Sequence, residues 1–175
     1  MGSKQAIKMR YSSARPWAFL GFSISVGALA AALFFQISKE WFPCPLCIVQ
    51  RYAYVVTALG FLGIASSSRG SIFSRLFVLL TTTGFLAGAG VAFYHVWVLS
   101  NPMQTCGVDP LQNTLNALPW VQYWSDMFTA DGLCTEEYPP LLGLSLPMWS
   151  GIGFLVQGLV LLITVRARRY VRGSW

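Results

Sequence analysis

Apolar residues run in four long stretches, and the polar residues gather in the gaps between them. Pro16 to Ser38, Leu76 to Val108 and Leu141 to Val165 contain no charged residue, and the apolar part of the second of these ends near Leu99. A further stretch, from about Pro45 to Ala65, is interrupted only by Arg51 near its start. Each reaches the roughly 20 residues that a helix needs to cross about 30 Å of hydrocarbon. The pattern predicts an all-α membrane protein built as a four-transmembrane-helix bundle. Its helices are expected at about 16–38, 45–65, 76–99 and 143–165, in a single domain spanning 1–175.

The gaps carry the rest of the organisation. Residues 39–44 are too few for anything but a tight outer hairpin, and Ser66 to Ser74 form a short polar loop on the opposite side,. Residues 100–142 make the one sizeable extramembrane piece. Leu111, Leu115 and Leu118 recur there at helical spacing, followed by Trp120, Tyr123, Trp124, Met127 and Phe128. This predicts a short amphipathic helix lying on the membrane, broken at Pro119, with loose stretches around Cys106 and Cys134. Gly84, Gly88 and Gly90 in the third span predict close helix approach,.

Composition agrees with a membrane protein: of 175 residues, 55% are hydrophobic and 10% charged, more apolar surface than a soluble domain of this size hides,. The first span is too long for a signal-peptide core, and Phe34 to Ile37 offer no small-residue cleavage pattern, so it is read as a retained helix,. Charge then orients the bundle. Lys4, Lys8, Arg10 and Arg15, then Arg69 and Arg75, then Arg166, Arg168, Arg169 and Arg172 occupy three segments that contain no acid. Glu40, Asp109, Asp126, Asp131, Glu136 and Glu137 all fall on the other face. Basic residues in short loops favour the cytoplasm, so both termini are expected there. The net charge of +6 is thereby explained by orientation, and no nucleic-acid partner is expected,.

Candidate chemistry concentrates in cysteine. Cys44-Pro45-Leu46-Cys47 opens the second span, and Arg51 lies one turn beyond Cys47. Proline is favoured at the first helical position, so the helix is expected to begin at Pro45. Cys47 then sits in its first turn, where unpaired N–H groups and the helix dipole favour an anion, with Arg51 on the same face. Both influences favour thiolate, the nucleophile of disulfide exchange. Cys47 is expected to be the more buried of the pair and Cys44 the more exposed. Arg51 either snorkels to the headgroups or aims its positive charge at an electron-rich ligand beside Cys47. His95, the single histidine, is either a packing residue or a partner at the same depth. The other two cysteines, Cys106 and Cys134, share the long outer loop.

A dithiol needs an acceptor for two electrons. The chain has no Gly-rich dinucleotide fingerprint, no haem-attachment Cys-x-x-Cys-His and no cluster-spaced cysteines,. A quinone dissolved in the bilayer fits. Zinc would need Cys106 and Cys134 as its second pair, and they are too widely separated in sequence for a usual site, so no metal is expected,. The competing reading is a non-catalytic four-helix scaffold whose cysteines form structural disulfides in its outer loops.

These features together resemble the bacterial disulfide bond formation protein B (DsbB) family, inner-membrane quinone-dependent disulfide oxidases. The resemblance covers nearly the whole chain: four spans, inside termini, Cys-x-x-Cys then arginine at the second helix, and two separated cysteines in the second outer loop. It implies a relay with catalytic Cys44, Cys47, Cys106 and Cys134. A reduced periplasmic thioredoxin-fold thiol oxidase, DsbA-like, would attack a Cys106–Cys134 disulfide and form a mixed disulfide with Cys106. Cys134 would exchange with Cys44, and Cys47 would pass electrons to ubiquinone or menaquinone held by Arg51 and His95. Partners would thus be that oxidase and the membrane lipid and quinone pool, and the location the bacterial inner membrane. Gln50 stands where well-known members carry a glutamate, a departure that bears on quinone affinity and leaves the four thiols in place. The vitamin K epoxide reductase family shares a four-helix bundle, but its Cys-x-x-Cys begins the last helix of the bundle.

Overall fold

The computed structural model describes residues 14–68, 71–101, 108–136 and 138–170. Cys106, and with it the expectation of a loose stretch there, lies outside them. Four long helices dominate: α1 (Ala14–Lys39), α2 (Pro45–Ser66), α3 (Ile72–Ser100) and α6 (Leu146–Tyr170). All four are long and apolar enough to cross a membrane, and the protein is an all-α, multi-pass membrane protein. Between α3 and α6 the outer loop carries α4 (Val108–Asn116), a 3₁₀ turn at Pro119–Gln122 and α5 (Ser125–Phe128). The break between α4 and that turn falls at Pro119, which has no N–H to continue a helix,.

The helices close a ring in which α1 meets α2, α2 meets α3, α3 meets α6 and α6 returns to α1. Within its apolar window α2 is 56% buried, against 17%, 22% and 28% for α1, α3 and α6, so the cysteine-bearing helix is the most enclosed of the four. Outward faces keep large apolar side chains such as Phe93, Phe73 and Leu155, which lipid covers. In the third span, Gly84 meets Thr57 and Val56 of α2, and Gly88 meets the ring of Phe154 on α6. Gly90, expected on the same packing face, has nothing within 4 Å of where a Cβ would stand. The reason is angular: two residues on from Gly88, a helix points to its other side.

Polar groups inside the bundle fix its register. Gln157 Nε2 donates to Ser25 Oγ at 2.7 Å, Ser25 donates to the Gly21 carbonyl, and Ser25 and Thr57 hydroxyls lie 3.3 Å apart. These bonds tie α1, α2 and α6 where lipid offers no alternative partner. At the other end, Arg168 donates to Ser74 Oγ and to the Ile64 carbonyl, which holds the C-terminal helix against α2 and α3.

Candidate functional site

The hairpin between α1 and α2 is short because Glu40 adopts a left-handed φ of 56°, turning the chain immediately after Lys39,. Four residues later Cys44 caps α2: its sulfur accepts from Cys47 N–H at 3.4 Å, and its carbonyl accepts from Ile48 N–H at 3.1 Å. Pro45 occupies the first helical position without leaving an orphan N–H,. This local geometry folds the two thiols toward each other, Sγ to Sγ at 3.1 Å, and both are free. A disulfide needs about 2.05 Å, so side-chain rotation brings the sulfurs to bonding distance and an acceptor of two electrons and two protons closes the bond.

Burial is the reverse of the sequence expectation. Cys44 is 3% exposed, and Cys47 is the more accessible of the two. Cys44 lies beneath the outer loop, in one apolar cluster with Leu46 of α2, Val98 of α3 and Cys134. First-turn position says how near a residue is to the helix end; it does not say which side the loop covers. The Cys44 thiol is held well above its ordinary value, first by the hydrogen bond it donates to Cys47 and then by burial,.

Cys134 is disulfide-bonded and 1% exposed, so a loose stretch there is not what the fold provides. Its placement depends on backbone. Pro43 C=O accepts from the N–H groups of both Asp131 and Gly132, each at 3.1 Å, so the outer loop lies flush on the hairpin one residue before Cys44. A Cβ on Gly132 would stand 2.3 Å from the Phe42 carbonyl oxygen. Sequence reasoning did not single out Gly132, whose only signal is a glycine two residues before a cysteine.

Arg51 is 6% exposed and does not reach for headgroups. Its Nη1 donates to the Asp126 and Met127 carbonyls at 3.1 and 2.9 Å, and its Nη2 donates to Gln36 Oε1 at 2.8 Å. One guanidinium therefore ties α2 to the end of α5 and to α1. Three of its five N–H donors are used in these bonds,. Gln36 was another residue not foreseen; its signal is a lone amide near the outer end of an apolar span, at the depth of Arg51.

His95 comes from α3 and is 4% exposed. Its Nε2 lies 3.7 Å from Cys44 Sγ, its Nδ1 4.0 Å from Cys47 Sγ, and its Nδ1 also 3.4 Å from the Gln50 amide nitrogen. The histidine is thus brought against both thiols, with Gln50 behind it. Cys44, Cys47, Arg51 and His95 all line a cavity of about 790 Å³ enclosed by α1, α2, α3 and α6. Ala28, Leu29 and Ala32 form an apolar wall, and Phe35, Trp41 and Tyr138 stack at its mouth with centroids 5.3 and 5.1 Å apart. Few polar groups converging in an apolar cleft is the usual character of a small-molecule site.

Comparison with known proteins agrees in kind. The family model described as Disulfide bond formation protein DsbB matches residues 14–164. The Disulfide bond formation protein B of Herminiimonas arsenicoxydans is 40% identical over 152 residues, 87% of this chain and 95% of that protein. The protein of the same name from Cupriavidus pinatubonensis is 42% identical over 144 residues, 80% of this chain and 85% of its own length. Disulfide bond formation protein B 1 of Pseudomonas fluorescens is 42% identical over 151 residues, covering 85% and 88%.

Proposed function

Because this chain belongs to the family described as Disulfide bond formation protein DsbB, we propose that it oxidises the dithiol of a thioredoxin-fold protein and delivers the electrons to a membrane quinone. The carrying observation is a pair of cysteines with sulfurs 3.1 Å apart at an apolar cavity, with a disulfide-bonded cysteine packed against Cys44. In this reading the partner's thiolate attacks a Cys106–Cys134 disulfide, forming a mixed disulfide with Cys106 and releasing Cys134. The partner's second thiol resolves that bond when the relay turns over. Cys134 thiolate attacks Cys44 of the Cys44–Cys47 disulfide, and Cys47 leaves as thiolate; Cys106, freed by the partner's second thiol, then attacks Cys134 and releases Cys44, which leaves Cys44 and Cys47 as the reduced pair. Each exchange breaks one S–S bond and forms another, so two electrons and two protons move inward without a net change in disulfide number.

The cavity fits a quinone headgroup: its wall is apolar, and the two N–H donors that Arg51 has left can meet a carbonyl oxygen,. When bound there, ubiquinone or menaquinone supplies a sink for two electrons and two protons. The chain's own part is to keep Cys47 at the cavity, to orient the acceptor through Arg51 and His95, and to exclude water with the Phe35, Trp41 and Tyr138 stack. Both termini lie in the cytoplasm of a bacterium and the outer loop in the periplasm.

The test is turnover with purified components. Reduced thioredoxin-fold partner and a quinone analogue should yield one quinone reduced per partner disulfide formed, and Cys44→Ser or Cys47→Ser should abolish it. No quinone reduction by the wild-type protein would overturn the proposal. So would membrane-impermeant labelling that puts Cys134 on the side opposite Cys44.

A further inference from the structure

The sequence spacing speaks against a zinc site made from four cysteines, but the fold assembles a different donor set. Cys44, Cys47 and His95 place three ligand atoms within 4.8 Å of one another. The histidine comes from another helix, so no spacing rule would have found it. Both sulfurs are free thiols, and the three donors are the softer kind that zinc, cadmium and copper(I) select over magnesium or calcium,.

We propose that the reduced Cys44–Cys47 pair and His95 form a binding site for a soft metal ion, one that exists only while the pair is reduced. In a tetrahedral zinc site, bond lengths of about 2.3 Å to sulfur and 2.0 Å to nitrogen put sulfurs about 3.8 Å apart and sulfur about 3.5 Å from nitrogen. Here the sulfurs are 3.1 Å apart, and Nε2 lies 3.7 Å from Cys44 Sγ. Side-chain rotations of about 1 Å, which open the two thiols and draw in a third donor from a set that lies within 4.8 Å, admit the ion,. Nε2 is the ligating nitrogen because it lies nearer a sulfur, 3.7 Å from Cys44 Sγ against 4.0 Å from Nδ1 to Cys47 Sγ. With the metal on Nε2, the Nδ1 proton is donated to Gln50 Oε1 once the amide turns over, the kind of outer partner that fixes a ligating imidazole. The fourth position opens on the cavity, which is both the entry path and room for a water molecule,.

Binding of zinc or cadmium takes up one divalent ion and releases two thiol protons, with no electron transferred. An oxidised Cys44–Cys47 pair offers no thiolate and cannot hold the ion. An ion bound to the reduced pair ties up both sulfurs and occupies the cavity beside them. That consequence for turnover rests on the function proposed above; the binding itself does not.

Cadmium alone, added to the full-length chain in detergent without quinone or partner, tests the site. The reduced protein should develop a thiolate-to-cadmium absorption band that saturates at one ion per chain, and prior oxidation of Cys44 and Cys47 should abolish it. His95→Ala should weaken binding by at least about tenfold, since even losing a partner outside the ligand shell costs a metal site that much. His95→Gln, closer in volume, is the second variant if the first fails to fold. A Cys106→Ser/Cys134→Ser variant should keep the band. No band in the reduced protein overturns the site. So does wild-type affinity in the histidine variants, or a band that vanishes with the loop cysteines at unchanged helical content. Failed quinone reduction with this titration intact would reject the proposed function alone.

Discussion

Gly132→Ala separates the two halves of the proposed relay. The added Cβ would lie 2.3 Å from Phe42 O, 3.0 Å from Phe42 C and 3.2 Å from Pro43 C, all backbone atoms that cannot rotate away. Non-bonded carbons rest at about 3.5–4.0 Å, so the outer loop must retreat from the hairpin by about 1 Å. That movement strains the two hydrogen bonds onto Pro43 O, from Asp131 and Gly132. At about 1 kcal/mol net for each bond, the docked loop loses about 2 kcal/mol, which lowers its docking equilibrium constant by about thirtyfold. Cys134 is carried with it, whereas Cys44, Cys47, Arg51 and His95 sit on α2, its cap and α3 and stay in place. Partner-driven quinone reduction should therefore fall by about ten- to a hundredfold, the scale on which a 1 Å misplacement acts. Reduction driven by a small dithiol that attacks Cys44–Cys47 directly should stay within about twofold, since no atom of that pair moves. Stopped-flow quinone absorbance measures both. If the two rates fall together, or neither falls, the backbone clamp does not position Cys134 and the reasoning is refuted.

Arg51→Leu removes three charged hydrogen bonds, each of the class that contributes about 1.5–3 kcal/mol, and should both raise the KM for quinone and expose the segment 119–128 to proteolysis,. Arg51→Lys, a point charge without the planar fork, should restore less than half of either effect; full restoration would show that charge alone suffices. Gly88→Ala forces a Cβ to 2.2 Å from the Phe154 ring and should lower thermal stability by about 1–3 kcal/mol, whereas Gly90→Ala meets nothing and should leave the melting temperature unchanged or slightly raised,. Equal effects at the two positions would contradict the packing described. The Tyr138 hydroxyl, which donates to the Phe42 carbonyl at 2.9 Å, is pushed up to about 12 by burial and then by Glu136. A raised folded-state value means its contribution to holding the two outer loops together is fully present below its ordinary value near 10 and is lost as pH rises through about 12,. An ultraviolet tyrosinate titration of wild type against Tyr138→Phe should show one residue missing from the last phase only.

Much of the fold was legible because its causes are local. Helix α2 carries Cys44 as cap, Pro45 at its first position and Arg51 one turn beyond Cys47, all read from consecutive residues. What escaped was contact across sequence: Gln36 to Arg51, Gln50 to His95, and Gly132 against Phe42. Hydropathy and spacing place a residue at a depth and on a face of its own helix. They do not say which face of the next helix meets it, because that depends on how side chains such as Gly84 and Gly88 let neighbours approach,.

By itself the chain's order of residues determined four membrane helices, a dithiol at the start of the second, a positive charge one turn beyond and a second cysteine pair in one long loop. These follow from hydrophobic runs, caps and helical periodicity, which act over a few residues. Only the tertiary structure decided that Cys44 is the more covered of two thiols that both line the cavity, that Arg51 brackets the loop, and that His95 faces both sulfurs. Those outcomes are set by helix register and by a loop seated on a single carbonyl, Pro43. They belong to the packed ensemble of distant segments, where side chains select among faces that local sequence leaves equivalent.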